Sequence, residues 1–223
     1  MDGAAARRLL AERGRALADV CRGARRRIAD VGWRFIRDGA TVLVHGYSRT
    51  ALGVLVAARR RGRRFQAICT EGRPDGTGVR AASELAAAGV PVAICLDAAA
   101  ATALGSCGLV LVGAEGVVES GGVLNKLGTY GVALLARQLN VPVYVAAESY
   151  KFCRLYPLRG GAGDACVPAE ARPVDFGPLC PAEARTSAAT RDYTPPRCVS
   201  LLFTDLGVLT PAAVSDELIQ LYL

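Results

Sequence analysis

Residues 113–139, GAEGVVESGGVLNKLGTYGVALLARQL, gather the groups of this chain best suited to binding chemistry. Glu115 offers a carboxylate, Asn125 an amide, Lys126 an ammonium and Thr129 a hydroxyl. The apolar spacing from about Thr129 onward predicts a helix. A helix start presents N–H groups that have no intrahelical acceptor, and its dipole favours an anion. Gly128 would let the backbone approach such an anion closely, with Thr129 donating a hydroxyl and Lys126 adding a full positive charge. Glu115 would repel a phosphate beside it, so it is expected to face sugar hydroxyls while the phosphate lies toward Lys126. A sugar phosphate or a nucleoside monophosphate has that polarity; a plain hydrophobic ligand does not. Of the 27 basic residues only Lys126 and Lys151 are lysines. A compact ammonium suits a narrow anion pocket that a guanidinium fork would crowd.

These groups need elements to position them. Residues 4–38 carry apolar residues at helical spacing. From Thr41 the pattern changes to six short apolar runs: TVLVH (41–45), FQAICTE (65–71), VPVAICLD (90–97), GLVLVGAE (108–115), VPVYVAAE (141–148) and VSLLFTD (199–205). Helix-like segments separate the first five. Strands apolar on both faces that alternate with helices specify a parallel sheet covered on both sides. Each run closes on a polar residue (His45, Glu71, Asp97, Glu115, Glu148, Asp205), and ligands in such sheets bind outside the carboxyl ends of the strands. Asp97 is therefore a candidate ligand contact, although it could instead cap the helix that follows. Ser48, Arg49 and Arg73 stand in the loops after the first two runs. Arg73 could equally pair with Asp75, His45 could be a satisfied strand-end group, and Lys151 could pair with Glu148. Residues 154–198, rich in Pro, Gly, Ala and Arg, read as an irregular excursion.

Composition narrows the function classes. A hydrophobic content of 52% argues for a packed globule. No apolar run approaches the roughly 20 residues of a membrane span, and the first twenty residues lack the apolar core of a secretory signal. The chain reads as cytoplasmic. Eight cysteines include no CxxC pair, and a single histidine makes a metal site an unlikely reading of them. The net charge of +7 resides mainly in stretches such as RGARRRIAD and AARRRGRRF, which read as solvated helix faces rather than a nucleic-acid interface.

The ordered set HGYSR, TEGRPDGTG, LDAAAA, VGAEGVVESGGVLNKLGT, AAESYKF and LLFTDLGVLTPAAVSDELIQLYL resembles the alpha-subunit family of eukaryotic translation initiation factor 2B, from about residue 5 onward. The resemblance implies an α/β fold: a Rossmann-like parallel sheet with helices on both faces over 41–223, preceded by a short helical segment over 1–40. The family carries a longer helical domain in the latter position, so 1–40 reads as its remnant. The implied function is a non-catalytic regulatory subunit of the guanine-nucleotide exchange assembly, with no cofactor. It would form a homodimer and contact the other subunits, and would help sense initiation factor 2 phosphorylated on its alpha subunit. Neither direct nucleic-acid nor membrane contact is implied. The rival is an aldose–ketose sugar-phosphate isomerase, because the fold is shared. The related isomerases carry a cysteine after the histidine of the first strand end and an aspartate after GA at the fourth. Those positions here are Gly46 and Glu115. Glycine transfers no proton, so the acid–base pair is broken. The apolar closing segment 206–223 is expected to pack at the subunit interface.

Overall fold

The computed structural model describes residues 3–157, 171–184 and 187–221. Helix α1 (Gly3–Gly32) runs into a short 3-10 turn at Trp33–Phe35. Strands β1 (Thr41–Val44), β2 (Gln66–Thr70), β3 (Val92–Cys95) and β4 (Leu109–Gly113) alternate with α2 (Arg49–Arg60), α3 (Thr77–Ala87) and α4 (Ala100–Leu104). A hairpin of β5 (Gly116–Val118) and β6 (Val123–Lys126) precedes α5 (Thr129–Gln138), β7 (Val143–Ala146) and β8 (Phe152–Cys153). β9 (Ala171–Pro173) pairs with β10 (Ser187–Ala189), and β11 (Arg191–Thr194), β12 (Leu201–Thr204), β13 (Gly207–Leu209) and α6 (Val214–Leu221) complete the chain.

The main sheet has the order β13-β12-β7-β4-β1-β2-β3, and the six apolar runs pair in parallel throughout it. Only β13, an added edge strand, is antiparallel. Counted along the parallel strands alone, this is the doubly wound order whose switch point lies between β1 and β4. Side chains alternate across the sheet as a period of two requires. Val42, Val44, Leu109 and Leu111 face a core completed by α1, α2 and α3. Leu43, Val110 and Val112 face a second core that includes Val132 and Ala136 of α5 and Val214 and Leu218 of α6. Leu111 is fully buried. Truncating such a leucine to alanine costs about 2–5 kcal/mol.

Several expectations need correction. The run VPVAICLD, expected to be covered on both sides, is the sheet edge. Its neighbour α4 has only five residues, too short a cover, so Ile94 and Leu96 are more than half exposed. The region 154–198 is not irregular throughout. Its β11 pairs antiparallel with β6 and joins a second sheet of order β11-β6-β5-β8; residues 158–170, 185 and 186 lie outside the described residues. The closing segment buries Val214 and Leu218 in the chain's own core instead of offering them to a partner, leaving Leu206, Val208 and Ile219 exposed. Residues 222 and 223 lie outside the described residues. Helix α1 buries Ala24 and Ile28 against the sheet and α2, while most of its first half is exposed. Among the described residues, no helix is long and apolar enough to cross a membrane.

Candidate functional site

A cleft of about 290 Å³ opens outside the carboxyl ends of the strands at the switch point. The turn after β1 and the start of α2 supply Tyr47, Ser48, Arg49 and Thr50. Ala114 and Glu115 come from the end of β4, and Asn125 and Lys126 from β6. Glu148, Tyr150 and Lys151 follow β7. Both lysines of the chain thus line one cleft.

Helix α2 begins at this wall. Ser48 caps it, its hydroxyl accepting from the Ala51 N–H at 3.3 Å. The close seat of this cap explains Gly113, because a Cβ there would lie 2.3 Å from Ser48 Oγ. The first-turn N–H groups ahead of Ala51 have no intrahelical acceptor, and the residues that carry them, Arg49 and Thr50, line the cleft. Behind them, buried Thr50 donates to Glu148 Oε1 at 2.7 Å. The expected Lys151–Glu148 pair is present at 2.7 Å, and Lys151 also donates to the Ala114 carbonyl at 2.7 Å. Burial alone would raise the Glu148 carboxyl, but the Lys151 and Thr50 hydrogen bonds outweigh it and hold its pKa low.

The start of α5 is built differently from the expectation. The Gly128 and Tyr130 N–H groups donate to one carboxylate oxygen of Asp192, at 2.8 and 3.0 Å. The anion at this helix start is the chain's own side chain, delivered by β11. Burial pushes the Asp192 carboxyl up to about 6, against the pull of its two N–H donors. Thr129, almost fully buried, donates its hydroxyl to the Lys126 carbonyl at 2.6 Å and accepts from Asn125 Nδ2 at 3.0 Å. That hydroxyl is therefore committed to the turn and does not line the cleft. Gly128 has φ +99, and a Cβ there would meet His45 Cε1 at 2.7 Å. Its freedom serves the packing of His45 rather than the approach of a ligand.

Lys126 sits between two carboxylates, with Asp75 at 2.8 Å and Glu115 at 3.4 Å. Partial burial works against its charge, but the Asp75 hydrogen bond and the attraction of Glu115 win and raise its pKa. Glu115 in turn pairs with Arg191. Asp75 therefore joins Lys126, and the alternative of an Arg73–Asp75 pair is not realised. Asp97 accepts from the Gly72 and Arg73 N–H groups at 2.9 and 2.7 Å, stapling the loop after β2, so it caps no helix and does not line the cleft. The Arg73 side chain is exposed and also outside the cleft lining. His45 is buried, bridging Thr70 Oγ1 at 2.6 Å and the Leu127 carbonyl at 2.8 Å. Burial lowers its pKa, with Leu127 and Asp97 only partly offsetting the effect. Both ring nitrogens are used, as in a structural strap between strand ends.

Five sequence-predicted residues thus come together at the cleft: Ser48, Arg49, Glu115, Asn125 and Lys126. Asp97, Arg73 and Thr129 do not. Thr50 and Tyr47 join the five without having been singled out by chemistry, and their place in the strand-end stretch HGYSRT is the signal that marks them. Tyr47 is held by α3, donating to Glu84 at 2.9 Å beneath the Arg80 guanidinium. Arg191 and Asp192 carry no local signal.

Residues 2–211 match the initiation factor 2 subunit family. The chain belongs to this family. It is 44% identical over 219 residues to translation initiation factor eIF2B subunit alpha of Dictyostelium discoideum, covering 96% of this chain and 68% of that protein. It is 31% identical over 207 residues to ribose 1,5-bisphosphate isomerase of Archaeoglobus fulgidus, covering 92% of this chain and 65% of that one. The crystal structure of translation initiation factor eIF-2B from Pyrococcus horikoshii OT3 matches with a TM-score of 0.83 at 31% identity, over 92% of this chain and 70% of that one. Family membership ties the chain to translation initiation. Gly46, directly after His45 at the end of β1, has its would-be Cβ 3.5 Å from the Lys126 side chain.

Proposed function

We propose that the chain is a non-catalytic regulatory subunit of the initiation factor 2B assembly, and that its cleft takes a phosphorylated sugar or a nucleoside monophosphate. The observation that carries the ligand reading is the start of α2, whose first two N–H groups have no acceptor among the described residues, on a cleft that holds both lysines. The phosphate would lie against the first-turn N–H groups of α2 and the Arg49 guanidinium, with Ser48 at its side. Glu115, beside Lys126, would accept from sugar hydroxyls. This moves the phosphate from the start of α5, where Asp192 stands, to that of α2. The absent side chain at Gly46 and the commitment of Glu115 to Arg191 and Lys126 support a regulator. The subunit would act in the cytoplasm as a homodimer, with the exposed Leu206, Val208 and Ile219 at or near the contact. It would associate with the other subunits and with initiation factor 2 phosphorylated on its alpha subunit.

The second reading, an aldose–ketose isomerase, draws on the 31% identity to the Archaeoglobus isomerase. Calorimetry with ribose 1,5-bisphosphate and adenosine monophosphate, together with a turnover assay for ribulose 1,5-bisphosphate, separates the two. The proposal expects binding without turnover. Turnover that disappears in Glu115→Gln would establish the isomerase, and failure of both ligands to bind would remove the pocket from the account.

A further inference from the structure

We propose that the opposite, amino-terminal edge of the main sheet docks an acidic polypeptide segment bearing an apolar side chain. This is independent of the cleft just described. A groove of about 530 Å³ lies there, floored by Phe35, Leu109, Pro142 and Tyr144 and flanked by Arg34 and Arg37. The turn after α2 abuts this groove. Arg63 and the Arg64 N–H bond to Asp38 at 3.2 and 2.7 Å, and the Gly39 N–H donates to the Arg64 carbonyl at 2.7 Å. Residues 33–38 and 59–64 together carry seven arginines and one aspartate, a density that accounts for much of the chain's net charge of +7. Arg61 pairs with Asp30 and Arg63 with Asp38. Among the described residues no carboxylate pairs with Arg34, Arg37, Arg59 or Arg60, and all four are exposed. Elsewhere, at the cleft, Lys126 and Lys151 each have an acidic partner.

The chemistry favours carboxylates over nucleic acid. Guanidinium forks match carboxylates and phosphates alike, but an apolar floor gains from a buried aliphatic group, which a peptide side chain supplies and a phosphate backbone does not. Single-stranded nucleic acid would need open aromatic faces on which to stack bases. Among the described residues none stands free in this patch. Trp33 is covered by Arg61 and Arg63, whose guanidinium carbons lie 5.1 and 5.6 Å from its ring centre. Phe35 is packed edge-on to Tyr144 at 5.6 Å and against Phe203 at 4.8 Å.

The test is fluorescence anisotropy of the full chain with a fluorescein-labelled peptide of glutamates carrying one central leucine. The parent is expected to bind it, and Arg34→Glu/Arg37→Glu to bind at least about tenfold more weakly, as expected for lost charged hydrogen bonds. Arg59→Glu/Arg60→Glu should lose a similar amount, and the thermal melts of both variants should match the parent's. An all-glutamate peptide should bind about tenfold more weakly for want of the buried leucine. Arg7→Glu/Arg8→Glu, exposed on the first turns of α1, should bind as the parent does. Equal loss in that control would reduce the effect to overall charge and overturn the proposal. So would tighter binding of an oligouridylate than of the peptide, or no peptide binding by the parent.

Discussion

Two helices begin beside the same crevice, and they end their first turns in opposite ways. The start of α5 is closed: Asp192 reaches across from β11 and takes two of its N–H groups. At α2, Ser48 caps one N–H group, and the first two residues of the helix, Arg49 and Thr50, line the cleft. Both carry the positive end of a helix dipole. The difference is whether the fold supplies the anion itself. A helix start preceded by a lysine is therefore no ligand site until the long-range strands around it are known.

The largest expected effect sharpens how the open start is held. Glu148 anchors α2 through Thr50 and is the buried partner of Lys151. Glu148→Ala leaves that ammonium unpaired and should cost about 3 kcal/mol or more in denaturant unfolding. A loss below about 1 kcal/mol would mean that the start of α2 is held by other contacts.

Next comes the ligand. Arg49→Ala should weaken sugar-phosphate binding by about one to two decades, the usual worth of a charged hydrogen bond of about 1.5–3 kcal/mol. Lys126→Ala should do less, about threefold to tenfold, because its charge is already shared between Asp75 and Glu115. Calorimetry that found the reverse order would move the phosphate back toward β6.

The smallest effect concerns the closed start. Asp192→Asn should change stability by about 1 kcal/mol, as cap substitutions do, and the change should depend on pH. The folded Asp192 titrates at about 6, above the ordinary 3.8. The folded state therefore holds its proton more tightly than the unfolded one. That contribution is complete below about 3.8 and is lost as pH rises through about 6. The melting temperature of the parent should accordingly fall relative to Asp192→Asn as pH is raised from about 5 to about 8. A difference that stayed constant with pH would show that Asp192 is ionised throughout.

The division between legible and illegible features follows contact range. Six strands with apolar residues on both faces, each closed by a polar group, announce a parallel sheet and the edge that bears the site. Ser48, Arg49, Glu115, Asn125 and Lys126 could be read because each stands next to an element end that local pattern marks. Thr129 and Asp97 were marked in the same way, yet their side chains satisfy backbone groups of neighbouring turns. Local sequence cannot separate these two fates. Asp192 and Arg191 were invisible for another reason: β11 lies in a Pro- and Gly-rich stretch and becomes a strand only by pairing with β6, more than sixty residues earlier in the chain. The half-exposed β3 likewise reads as a buried strand until its place at the sheet edge is known.

Backbone amide shifts during titration of a phosphorylated sugar test the central claim most directly. The account predicts that the Arg49 and Thr50 N–H signals move with ligand concentration while those of Gly128 and Tyr130, bound to Asp192, stay in place. Movement of Gly128 and Tyr130 with Arg49 and Thr50 unchanged would contradict it.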